Sequence, residues 1–140
     1  MIFINPFILS PAATFTLAGG SYTDDGLGSN SSVGLTLATN GTLTITRVAQ
    51  GDQSPSNEFM RPLDAVYGAT LYARVALSSG AWSTTAGADN TWLSLASPLV
   101  WTRTRTLVGT STVDFTLSIA TDSGGSNIVA TAAYTLNAIK

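Results

Sequence analysis

The chain has 140 residues, which favours a single domain, and 44% of them are hydrophobic, which is not typical of disorder. Only 10% are charged and the formal net charge is −2, so we expect no affinity for nucleic acid or for an anionic membrane. There is no cysteine and no histidine, which excludes disulfides, thiolate metal sites and Ser-His-Asp catalysis.

Residues 1–12 form an apolar segment that we interpret as an N-terminal extended arm or edge strand. A signal peptide is not expected, because no basic residue precedes Arg47, and prolines interrupt the apolar run well short of a membrane span. The segment either packs on the core of its own chain or docks onto a neighbouring subunit. Its candidate protein-interface residues are Ile2, Phe3, Ile4, Phe7 and Ile8.

Residues 13–140 read as one β-sandwich domain that begins with two strand signals. Residues 13–18 alternate, with Phe15 on the apolar side, and Gly19-Gly20 is expected to end this strand. Residues 33–38 and 42–48 alternate again on either side of Asn40-Gly41. Asn-Gly between alternating runs predicts a tight hairpin with a type I′ turn.

The middle of the chain has one ordinary strand and one irregular strand. Gln50 to Pro62 is predicted to be a surface loop, whereas residues 71–77 alternate with an apolar face. In residues 100–107, Trp101, Arg103 and Arg105 share a face that is neither apolar nor polar. We therefore expect an edge or partner-facing strand, and these three residues are candidate protein-interface residues.

The C-terminal segment, residues 113–136, predicts a hairpin with one apolar face on each strand. Val113 begins the first apolar face and Ile128 the second, and residues 121–127 form a turn rich in Gly, Ser, Asp and Asn. No stretch of the sequence has an apolar stripe of helical period. Seven or more short strands with turns between them indicate an all-β, antiparallel sandwich or barrel.

Few residues suggest chemistry, and no catalytic, cofactor-binding or metal-binding residue is predicted. Glu58 with Asp64 is the one loop pair of carboxylates worth considering, and we expect it to be solvated surface charge. Two groups of oxygen-bearing side chains lack calcium-loop spacing, and such residues in turns usually bond their own backbone. The two groups are Asp24, Asp25 and Asn30, and Asp122 and Asn127.

The tryptophans allow two interpretations. Trp82 and Trp92 are candidate sugar-stacking residues, as in the aromatic platforms of carbohydrate-binding modules. Tryptophan more often buries its large area in a core or an interface, which is the interpretation we favour.

From Glu58 onward the chain resembles an immunoglobulin-like or fibronectin-like β-sandwich module found in virion structural proteins of tailed bacteriophages. The segments that carry the resemblance are Tyr72-Ala73-Arg74-Val75, Ser79-Gly80, Trp92-Leu93-Ser94-Leu95 and the closing hairpin around residues 122–127. The N-terminal ten residues have no counterpart in the module.

The resemblance implies a non-enzymatic component of the virion head, neck or tail, with no catalytic residue and no cofactor. Such a protein would be made in the host cytoplasm and would assemble with other virion proteins, as a homo-oligomer in the particle. The alternative is a carbohydrate-binding β-sandwich module of a tail fibre or of a host-surface adhesion protein.

Overall fold

The computed structural model describes residues 13–24, 31–49, 70–85, 89–104 and 108–140. These residues contain no helix and form two antiparallel sheets. The strands are β1 (Thr14–Asp24), β2 (Ser31–Leu37), β3 (Thr42–Ala49), β4 (Tyr72–Ser79), β5 (Thr84–Thr85), β6 (Leu93–Ser94), β7 (Leu99–Thr102), β8 (Thr110–Ala120) and β9 (Ile128–Ile139). The predicted all-β, antiparallel character is confirmed.

The two sheets pack around one shared core. One sheet has the order β1-β9-β8-β4-β6, and the other has the order β2-β3-β7-β5. The core cluster draws on both, for example Val75 and Phe115 from the first sheet and Leu35 and Ile45 from the second. Burial of these apolar faces stabilises the sandwich, because each sheet covers the other's inner side.

Strands β4 and β8 show why the alternation of the sequence becomes a two-sided sheet. Ala73 and Val75 are wholly buried, as are Leu117 and Ile119 on the neighbouring strand. The residues between them point to the opposite side, because successive side chains of a strand alternate. The predicted apolar faces of both strands are confirmed.

The C-terminal hairpin is confirmed except at the start of its second strand. The register shifts between Ile119 and Ala120, so that Ile119 pairs with Ala130 but Ala120 pairs with Ile128. The extra residue on β9 is Val129, which is 3% exposed, whereas Ile128 is 46% exposed. The placement of Ile128 on the buried face was wrong, because a bulge moves side chains to the other side of the sheet.

The turn between β2 and β3 differs in type from the prediction. The Gly41 N–H donates to the Ala38 carbonyl at 3.0 Å, which closes a turn with Thr39 and Asn40 at its centre. Gly41 has φ of 85°, whereas Asn40 is not among the described residues with positive φ. The hairpin is confirmed, but the type I′ turn was wrong, because only one residue adopts the left-handed conformation.

Strand β1 continues beyond the glycines that were expected to end it. Gly19 and Gly20 have φ of 105° and 97°, and the pairing with β9 shifts register between Gly19 and Tyr22. A Cβ on Gly19 would run into the Ala133 carbonyl oxygen. The glycines therefore form a bulge that lets the strand remain paired to Asp24.

Several predictions lie outside the described residues. They are the N-terminal arm at residues 1–12, the loop at residues 50–62 and the end of the irregular strand at residues 105–107.

Candidate functional site

The outer side of the five-stranded sheet is lined mainly by short side chains from four neighbouring strands. We call this surface the outer face. It consists of Thr16 and Ala18 from β1, Ala133, Thr135 and Asn137 from β9, Asp114, Thr116 and Ser118 from β8, and Arg74, Ala76, Ser78 and Ser79 from β4. Only Arg74 and Asp114 in this set carry a charge.

Asp114 marks one end of the outer face. Its carboxylate accepts hydrogen bonds from the Ser79 hydroxyl at 2.5 Å and from the Thr135 hydroxyl at 2.6 Å. These two bonds, the Ser79 bond first, hold the pKa of Asp114 below its usual value. The group is therefore ionised at neutral pH, and its position across three strands is fixed.

A depression of about 220 Å³ lies beside Asp114. It is lined by Ala18, Gly19, Ser78, Phe115, Thr116, Ala133, Tyr134 and Thr135. Small side chains leave this space because neighbouring strands are only about 4.8 Å apart and larger residues would fill it. The depression is an open, mostly apolar hollow with one carboxylate at its rim.

Arg74 and Trp92 build up the opposite end of the outer face. The Arg74 guanidinium carbon lies 4.8 Å from the centre of the Trp92 ring, a cation–π arrangement. Trp92 also abuts Gly125 in the turn between β8 and β9, where a Cβ would collide with the indole nitrogen. Ser118, which pairs with Arg74, is only 4% exposed although it lies on the outer side, so this end is raised above the sheet.

Arg74 has no carboxylate partner within the described part of the chain. Among the described residues its guanidinium stacks on Trp92, and its Nε atom is buried without a hydrogen bond to them. Arg74 is level with Ser118 on β8, four residues along the strand from Asp114, which corresponds to about 14 Å. The two charges of the outer face are therefore too far apart to pair within one chain.

The placement of Trp101 corrects one of the candidate interface residues. Trp101 is 0% exposed and belongs to the core, since Leu99 and Trp101 are the inward residues of β7. The expectation that Trp101 faces a partner was wrong, because its side chain lies in the core between the two sheets. Trp101 therefore contributes to folding and has no free surface to offer to a partner.

Arg103 forms hydrogen bonds within its own chain. Its guanidinium donates to the Ala81 carbonyl at 2.7 Å and to the Ser111 hydroxyl at 2.6 Å. These bonds join the end of β7 to the start of β8 and to the segment after β4. Arg105 and the arm residues Ile2, Phe3, Ile4, Phe7 and Ile8 lie outside the described residues.

The two sugar-stacking candidates occupy different environments. Trp82 packs with Trp101 at a ring distance of 6.4 Å and with Phe115 at 5.4 Å, as part of the core margin. Trp92 is half-buried on the outer side, next to Arg74. The structure does not bring the two candidates together into one platform.

The carboxylate of Asp122 stabilises the turn of the C-terminal hairpin through hydrogen bonds to backbone N–H groups. The Asp122 carboxylate accepts backbone N–H groups from Ser126 at 3.0 Å, from Asn127 at 2.8 Å and from Gly124 at 3.0 Å. These bonds, led by those from Ser126 and Asn127, lower the pKa of Asp122. The prediction that Asp122 bonds its own backbone is confirmed.

The other candidate carboxylate and amide side chains are not among those that the structure describes. Glu58, Asp64, Asp25 and Asn30 lie outside the described residues, and the side chain of Asp24 is also not described. In the portion of the chain that is described, no three acidic side chains converge in a way that would hold a metal ion. The same portion contains no helix that could span a membrane.

The sequence reasoning missed the residues that shape the outer face. In the sequence pattern, Asp114 and Thr116 are only the polar alternates of the first strand of the hairpin, and Ala133 gives no signal of its own. Their alternation with Phe115 and Tyr134 does predict that they share one side of the sheet. The position of Trp92 beside Arg74 has no local signal, since it depends on how residues 89–92 cross the end of the sheet.

Comparisons with known proteins give no match: no protein-family model, no curated protein and no solved structure is similar to this chain. The fold and the outer face are therefore the observations on which a function is proposed.

Proposed function

We propose that the protein is a non-enzymatic structural component of a bacteriophage virion that binds a repeating lattice of capsid or tail subunits. The observation that carries this proposal is the outer face, a broad and nearly uncharged sheet surface of Thr, Ser and Ala. The scarcity of charge suits contact with another protein, because charged residues are depleted at the core of interfaces, and short side chains lose little conformational entropy on ordering.

The resemblance to immunoglobulin-like modules of tailed-phage virions adds to this proposal. Two antiparallel sheets packed on one core are consistent with such a module, and successive strands such as β3 and β4 lie in different sheets. In a particle, many symmetric copies would bind together, so that each contact needs to contribute only a modest area. The proposed site of action is the assembled virion, after synthesis in the host cytoplasm.

Mass spectrometry of purified particles, from a host whose phage or prophage encodes this chain, tests the proposal. We expect the chain to copurify with particles at a fixed ratio to the major capsid or tail protein. The purified chain should also bind particles produced without it, and binding should saturate at a copy number set by the symmetry of the lattice. Particles that lack the chain, and that do not bind it when it is added, would refute the proposal.

A carbohydrate-binding module of a tail fibre or host-surface adhesion protein is the second candidate. The half-buried Trp92 favours it, since a partly exposed indole ring offers an apolar face and a polar N–H, and a sugar ring can stack on that face. Glycan-array binding that is lost in Trp92→Ala but retained in Trp82→Ala would support this candidate. An array on which the unchanged chain binds no glycan would contradict it.

A further inference from the structure

We propose that the outer face binds the outer face of a second copy of this chain, in an isologous dimer related by a two-fold axis. The proposal rests on the part of the proposed function in which copies of the chain associate, and it names the surface they use. Charge, shape and area each support it.

Charge complementarity is the first observation. The outer face carries one cation, Arg74, at one end and one anion, Asp114, at the other. A two-fold axis that runs across the strands midway between them places Arg74 of each copy opposite Asp114 of its partner. Every contact in an isologous interface occurs twice, so one dimer forms two such pairs. Each charge then gains the opposite partner that the described part of its own chain does not give it.

Shape complementarity is the second observation. The end of the outer face that carries Arg74 is raised by Trp92, and the end that carries Asp114 contains the 220 Å³ depression. The same two-fold axis lays the raised Trp92 of one copy over the depression of the other. An aromatic anchor in an apolar pocket is the arrangement that contributes most to protein interfaces. The hydroxyl of Thr135 would border the ring.

The area of the outer face sets the expected affinity. The outer face extends over about seven residue positions along four strands that lie about 4.8 Å apart, which is on the order of 500 Å² per copy. A dimer would bury roughly 1,000 Å² in total, which is the lower limit for a specific interface. We therefore expect a weak dimer in solution, with a dissociation constant in the micromolar range, that many copies in a lattice would reinforce.

The position of the axis identifies the residues at the centre of the interface. Ala76 and Thr116 pair with each other across β4 and β8, at the level midway between Arg74 and Asp114. These two residues would therefore face their own counterparts in the partner copy. Their small size is required there, because facing sheets pack only about 10 Å apart.

Charge reversal tests the proposal by sedimentation velocity. The unchanged chain is compared with Arg74→Glu and with Asp114→Lys at concentrations up to about 100 µM, as a weak interface requires. We expect each single reversal to raise the dimer dissociation constant at least about a hundredfold, because both copies of the pair become repulsive. An equimolar mixture of the two single variants should associate again, since each like-charge pair is then replaced by an opposite one.

Controls separate this effect from changes in net charge or folding. Thr44→Glu places a charge on the outer side of the other sheet and should leave the dissociation constant unchanged. Ala133→Trp fills the depression from an exposed position and should prevent association without unfolding the chain. Thermal melts of all variants show whether each is folded. If a charge-reversal variant is unfolded, the neutral variant at the same position, Arg74→Gln or Asp114→Asn, is used in its place.

The outcomes distinguish this proposal from the proposed function. A dimer that is lost in both reversals and recovered in their mixture supports the outer-face interface. A chain that stays monomeric up to the highest concentration, or a dimer that is unchanged by both reversals, overturns it. A monomeric chain that still binds particles would refute the dimer while leaving the virion role intact. Sugar binding at Trp92 by a monomeric chain would support the carbohydrate alternative and contradict the dimer.

Discussion

Replacing Trp101 by alanine should remove a large part of the stability of the fold. Trp101 is 0% exposed and is the largest of the fully buried side chains in the described part of the chain. Truncation of a buried Trp or Phe to Ala typically costs about 3–5 kcal/mol, because apolar contact is lost and a cavity remains. Domains of this kind have a total stability of about 5–15 kcal/mol, so Trp101→Ala should remove about a fifth of it or more.

Trp101→Phe separates the ring from the indole N–H. The Trp101 Nε1 atom is buried and has no hydrogen-bond partner among the described residues. A buried donor without a partner costs about 1–3 kcal/mol, so its removal offsets part of the lost contact area. We therefore expect Trp101→Phe to cost about 1–2 kcal/mol, less than the loss in Trp101→Ala.

Urea unfolding followed by circular dichroism and by the fluorescence of the remaining tryptophans measures both losses. Val108→Ala is the control, since Val108 is 86% exposed, and it should stay within about 0.5 kcal/mol of the unchanged chain. A Trp101→Ala variant as stable as this control would refute the core placement. It would support the prediction that Trp101 is an interface residue, above all if association were weakened instead.

Three further substitutions test the turns of the sandwich and the hydrogen bonds of Arg103, by the same measurement of urea unfolding. Gly41→Ala should lower the free energy of unfolding by about 1–3 kcal/mol more than Gly109→Ala does. Both glycines have positive φ, but only at Gly41 would the Cβ meet the Arg103 carbonyl. Equal losses of stability in the two variants would contradict this. Asp122→Ala should destabilise at neutral pH. Because folding lowers the pKa of Asp122, the difference from the unchanged chain should shrink as the pH falls below about 4, and a pH-independent difference would contradict the role of the carboxylate. Arg103→Ala should lower the free energy of unfolding by about 1–3 kcal/mol, and Ser111→Ala should lower it less. Arg103 forms two hydrogen bonds, and Ser111 accepts only one of them. A larger loss of stability in Ser111→Ala than in Arg103→Ala would contradict this arrangement.

Alternation of residue types predicted most of the described strands, because the side-chain period of a strand is fixed by backbone geometry. The faces of β4, β8 and β3 follow from it directly. Where the alternation is interrupted by a bulge, the prediction failed. At Gly19-Gly20 the bulge preserves pairing, and before Val129 it turns Ile128 outward. Neither bulge can be recognised without the partner strand.

The candidate site was less predictable than the fold. Which strands lie side by side depends on contacts between distant parts of the chain, such as Arg74 of β4 beside Ser118 of β8. The two charges of the outer face come from different strands, and nothing local relates them. The misplacement of Trp101 has the same origin, since residues near the end of a short strand leave too few positions to establish which face is buried.

Cysteine cross-linking at the centre of the outer face is the most direct test of the claim that this face binds a second copy. The chain has no cysteine, so Thr116→Cys and Thr44→Cys each carry a single thiol. Both positions are half-buried on a central strand, the first on the outer face and the second on the other sheet. With a short bis-maleimide we expect Thr116→Cys to give a covalent dimer in high yield and Thr44→Cys to stay monomeric. Equal yields from the two variants, or a higher yield from Thr44→Cys, would contradict the claim.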